Sequence, residues 1–197
     1  MTTPAMELSL ACQPGKEGSW LIFPYQISNV GNVDAYVMDA VANVNAETGA
    51  VAADRRSVVV VHGPGEDVTV GRFVAPLPPD RRIAMPVVPL ARLLVPGATL
   101  EGRVDLPVPL AETSPYFADL TLRQYDVVEV KGVVFCVGYW LAGTTGLGTL
   151  PAEYAPDLFA LATRDSTKGA RLVSVHFGTK PMQLFRRTGA FPRPGGG

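Results

Sequence analysis

Residues 94–110 read L-V-P-G-A-T-L-E-G-R-V-D-L-P-V-P-L, and this stretch decides the fold. Leu100, Gly102, Val104, Leu106, Val108 and Leu110 alternate with Thr99, Glu101, Arg103, Asp105, Pro107 and Pro109. Successive side chains of a strand point to opposite faces, so a period of two with charges on one side marks a half-buried β-strand. Val95-Pro96-Gly97 supplies the turn that starts it. Proline has no N–H to give to a ladder, so Pro107 and Pro109 predict a strand that runs along a sheet edge or leaves the sheet.

The flanking sequence continues in the same style. Strands are predicted over 6–12, 19–28 and 33–45, parted by Gln13-Pro14-Gly15 and Asn29-Val30-Gly31-Asn32. Pro24 assigns the second of them to an edge or a bulge. The valine run in 57–62 is short enough for a buried strand, and 68–74 alternates again beyond His62-Gly63-Pro64-Gly65, as in a hairpin. Residues 75–96 contain Pro76, Pro78, Pro79, Pro86, Pro89 and Pro96 with Arg81 and Arg82 between, a composition that predicts an extended surface connection. Further on, 120–130 and 133–141 predict two strands joined tightly at Lys131-Gly132. The second, V-V-F-C-V-G-Y-W-L, is apolar enough to be deeply buried. Residues 143–148 read as a flexible hinge and 151–161 as a short helical turn. Strands over 171–177 and 182–187 are broken by Thr179-Lys180-Pro181.

About ten strands at a spacing of about 8–12 residues, with almost no helical periodicity, predict an all-β protein. The expected architecture is an immunoglobulin-like or jelly-roll-type β-sandwich. It is complete by about residue 142, giving a β-sandwich domain over 1–142 and a C-terminal extension over 143–197. That extension would carry one or two strands packing on the sandwich or on a partner. The chain has 197 residues, 47% hydrophobic, enough to bury roughly 70% of its unfolded surface. Gly 20 and Pro 18 occur without a repeat period, which excludes collagen and fits many turns.

A net charge of −1 offers no clustered basic surface for phosphate, so nucleic acid is not an expected partner. No window approaches about 18 uninterrupted apolar residues, so no transmembrane segment is expected. Glu7 sits where a signal-peptide core would lie. The expected compartment is the cytoplasm, the alternative being export with the signal already removed.

Few residues carry chemistry. Cys12 and Cys136 stand in apolar strands, where a thiol behaves as a small hydrophobe, although a sandwich can also bring distant strands close enough for a disulfide. His62 has Glu66 and Asp67 near it in sequence, the makings of a histidine–carboxylate base, but a polar residue closing a strand is the simpler account. Gly143 to Gly148 lacks the Lys-Ser/Thr of a P-loop, and Pro151 stands where a dinucleotide motif needs its third glycine. Asp34, Asp39, Asn43 and Asn45 do not match a calcium loop and read as a solvated strand face. No metal, cofactor or catalytic set is expected.

The C-terminal stretch mixes basic and aromatic residues, and His176, Phe177, Phe185, Arg186, Arg187 and Phe191 are the candidate protein-binding residues. Arginine and aromatics are favoured at interface hot spots, while an ordinary edge strand guarded by charge uses the same residues. The function expected is a non-catalytic interaction or structural subunit that binds another protein or forms a homo-oligomer. The alternative is a hydrolase-type enzyme or small-ligand binder using the His62 loop.

Overall fold

The computed structural model describes residues 7–45, 47–63, 65–77, 87–116, 125–162 and 169–187. In chain order the strands are β1 (Leu8–Cys12), β2 (Gly15–Glu17), β3 (Trp20–Asn29), β4 (Ala35–Val44), β5 (Val51–Asp54), β6 (Val59–His62) and β7 (Asp67–Arg72). They continue as β8 (Pro89–Leu94), β9 (Thr99–Pro107), β10 (Leu110–Ala111), β11 (Tyr125–Leu141), β12 (Gly148–Ala152), β13 (Ala155–Ala162) and β14 (Arg171–Arg187). Among the described residues there is no helix and no closed barrel; two sheets make a β-sandwich. No described helix is therefore long and apolar enough to cross a membrane.

The smaller sheet has β3 at its centre, with β1 and β2 along one side and β9 along the other. The strand read from 94–110 is thus an edge strand among the described residues. It ends at Pro107, and the chain crosses to the other sheet as β10, as the two prolines require. Pro24 is a correction, because it lies in the central strand. The β1 register stops at Cys12↔Tyr25 and resumes in β2 at Gly15↔Ile22, so Pro24 faces the interruption at Gln13-Pro14.

The larger sheet runs β10-β14-β11-β4-β8-β13-β12, with β5 on β4 and the β6–β7 hairpin beside β11. Four sequence expectations change here. Lys131-Gly132 is no hairpin: β11 runs through it as one 17-residue strand, and β14 likewise runs unbroken through Thr179-Lys180-Pro181 for 17 residues. The two irregular spots are the two sides of one bulge, since Val130↔Met182 is followed by Gly132↔Gly178. Residues 151–161 form strand rather than helix, pairing β12 with β13. The proline-rich connection contains β8, which lies between β4 and β13; Pro89, at the strand's first position, needs no ladder donor there. Residues 78–86 of that connection lie outside the described residues.

The core sits between the sheets. Phe23, Tyr25, Ile27, Leu100, Val104 and Leu106 of the smaller sheet meet Val37, Val68, Val70, Val133, Phe135 and Val137 of the larger. Phe23 and Phe135 stack with ring centroids 5.4 Å apart. Gly102 lies among these residues because the Tyr25 ring occupies the place its side chain would take. The outer face of the larger sheet carries its own apolar cluster, with Val59, Val61, Phe73, Ala75 and Cys136.

Candidate interaction edge

β14 lies on β11 over most of its length; the only other described strand it pairs with is β10, at Leu184 and Phe185, while β1 lies close to it without pairing, tied at Glu7 to Arg171. Arg171–Gln183 therefore presents its outer backbone edge without a strand partner there. Natural sheets protect such edges with charge, proline, bulges or short strands. β9 carries Glu101, Arg103, Asp105 and Pro107; β12 carries Pro151 and is five residues long. On β14 those devices gather at the C-terminal end, in Lys180, Pro181, the bulge and the β10 cover. From Leu172 to Thr179 the strand reads L-V-S-V-H-F-G-T and has no acidic residue, lysine, arginine or proline.

Its two faces differ. Val173, Val175 and Phe177 stand opposite Val137, Phe135 and Val133, on the face that looks into the sandwich, and are half-buried. Leu172, Ser174, His176 and Gly178 lie on the outer face and are exposed, Leu172 by 56%. Arg171, just before this run, pairs with Glu7, and Arg186 further along pairs with Asp126 at 3.1 Å, while Lys180, just after the run, is exposed. The bond from Arg171 holds the Glu7 carboxyl below its ordinary range, with a smaller contribution from Tyr139.

The residues singled out from sequence separate into different settings. His176 is exposed and Phe177 packs against the core. Phe185 lies beside Tyr125, centroids 6.2 Å apart. Arg187 is buried and serves the fold, its Nε donating to the Glu112 carbonyl at 3.1 Å. Phe191 lies outside the described residues. Glu112 is buried too, accepting the backbone N–H groups of His62 and Arg187, each at 2.7 Å, and so tying β6 to the end of β14.

The carboxylates near His62 in sequence are engaged elsewhere. Asp67 crosses above Gly132 to reach His176 Nε2 at 3.3 Å, and Glu66 pairs with Lys131 at 2.7 Å. A side chain at position 132 would stand 2.0 Å from the Asp67 carboxylate, which accounts for the glycine that sequence alone reads as a turn.

Sequence reasoning missed one charged cluster. Asp39 is buried rather than part of a solvated face: two residues after Val37, it stands on the face that looks between the sheets, where Arg72 reaches both it and Tyr25. It meets Arg92 at 2.7 Å, Arg72 at 3.4 Å and Arg55 at 3.7 Å. Asp157 joins Arg55 at 2.5 Å and Arg92 at 3.3 Å. Arg72 also donates to Tyr25 Oη at 2.8 Å and to the carbonyls of Arg55 and Arg103. The cluster ties β3, β4, β7, β8 and β13 together. Its only sequence signal was a lone aspartate in an apolar strand.

Cys12 and Cys136 are free thiols, Cys136 buried and Cys12 half-buried, and burial pushes each up to about 11. Comparison with known proteins found no match: no family model, no curated protein and no solved structure corresponds to the chain.

Proposed function

We propose that this β-sandwich is a non-catalytic interaction or structural subunit that docks to protein through the outer edge of β14. The observation that carries the reading is the unguarded run Leu172–Thr179, which offers backbone donors and acceptors on its outer side. An extended chain that adds to such an edge gains main-chain hydrogen bonds, and alternate side chains give it register. At one end of the run Arg171 is neutralised by Glu7, and at the other the exposed Lys180 sets its limit.

The test is amide hydrogen exchange over 171–183 in the dilute full-length protein. In a long edge strand every second amide points outward, so fast and slow amides are expected to alternate along the run. Uniformly slow exchange at the lowest concentration would mean that the protein's own chain already covers the edge, and the docking reading would fall.

A further inference from the structure

We infer that the partner for this edge is a second copy of the same chain, its β14 added antiparallel about a two-fold axis at Val175; the inference rests on the edge-docking reading above. A closed two-fold contact uses one patch twice, so the strand must be complementary to itself. Residues opposite each other must share a face, which restricts the register to steps that keep Val173, Val175 and Phe177 together. Centred on Val175, the register sets Val175 against the partner's Val175 and Val173 against the partner's Phe177. On the outer face Ser174 meets the partner's His176, and Leu172 meets the partner's Gly178. Pairs between aromatic and β-branched residues are among the favourable cross-strand combinations, and no like charges are opposed. Centring on His176 would set two histidines face to face and Leu172 against the partner's Lys180. Centring on Ser174 would set Arg171 against the partner's Phe177.

A second observation points to the same register. Nothing lies within 4 Å of the place a side chain would take at Gly178, so the outer face has an open notch there. Leu172, 56% exposed on the same face, is the side chain that the two-fold brings over it. The fit occurs twice, once on each side of the axis. β10 occupies the same side of β14 only from Leu184, beyond the paired run, and β1, which lies close to β14, makes no ladder with it.

The test uses the full-length protein with light scattering across a concentration series, in three forms. Wild type is expected to be a dimer. Gly178→Val fills the notch with a residue suited to strand and is expected to weaken dimerisation at least tenfold while leaving the monomer folded by circular dichroism. Val175→Cys is expected to give, on mild oxidation near pH 8, a disulfide-linked dimer whose peptide map shows the introduced thiols of the two copies bonded to each other. The native thiols, pushed up to about 11, stay protonated under those conditions. A protein that is monomeric at every concentration, or a dimer that survives Gly178→Val and yields no bridge at position 175, would overturn the inference. The edge-docking reading would stand in that case if the exchange pattern over 171–183 still alternated.

Discussion

Replacing Gly102 by alanine should cost about 3 kcal/mol, although alanine is the smallest side chain that can be added. The new Cβ would lie 2.2 Å from Tyr25 Cζ and 2.3 Å from its hydroxyl. Tyr25 has little room to retreat, being 5% exposed and packed against Phe135 with centroids 5.2 Å apart. Forcing an extra carbon into such a site costs about 1–3 kcal/mol. Moving the ring also breaks its hydrogen bond with Arg72 Nη1, at 2.8 Å; a bond to a charged donor is worth about 1.5–3 kcal/mol. Removing a glycine from a strand returns about 0.5–1 kcal/mol, too little to change the sign. The assay is urea unfolding of Gly102→Ala, Tyr25→Leu and the double variant. Once the ring is gone the alanine has space, so in the Tyr25→Leu background the same substitution should be neutral or mildly stabilising. The coupling between the two sites should be about 2–3 kcal/mol. A Gly102→Ala protein within about 0.5 kcal/mol of wild type, or an equal cost in both backgrounds, would refute the reasoning.

Asp39→Ala removes the carboxylate that faces Arg72 and Arg92 and leaves a buried guanidinium without its counter-charge; a loss of about 3 kcal/mol is expected in chemical denaturation. Glu66→Gln, at the exposed pair with Lys131, should move stability by less than about 0.5 kcal/mol in the same assay. Gly132→Ala also brings a Cβ into contact, but with the movable end of the half-buried Asp67 side chain, so it should cost under about 1 kcal/mol and separate Asp67 from His176 in NMR contacts. Glu7 titrates below its ordinary value near 4.5 in the folded protein, chiefly through its bond to Arg171. Its stabilisation is therefore complete above the unfolded value and fades as pH falls through the lowered folded one. Between neutral pH and about pH 3, wild type should lose more stability than Glu7→Gln; parallel curves would remove Glu7 from the account.

What could be read from sequence depended on whether a residue's reason lies in its own segment or across the sheet. The 94–110 strand was legible because alternation and edge prolines are local properties, and the chain indeed leaves the smaller sheet after Pro107. Lys131-Gly132 and Thr179-Lys180-Pro181 were read as a turn and a break because the residues that allow a turn also allow a bulge. Their neighbours decide between the two: the place of a side chain at 132 is taken by Asp67 from β7 and His176 from β14, both distant in sequence. Gly102 follows the same rule, its cause being a tyrosine on β3, and so does Asp39, which arginines of β7 and β8 cover. In the candidate edge, composition drew attention to the basic and aromatic end of the strand. The structure assigns Arg187 to internal ties and Arg186 to a pair with Asp126, and among the described residues it pairs no second strand with the stretch from Leu172 to Thr179, which holds no lysine, arginine or acidic residue. An edge fit for docking is defined by missing guards, and missing guards become visible only once it is known which strand lies at the edge.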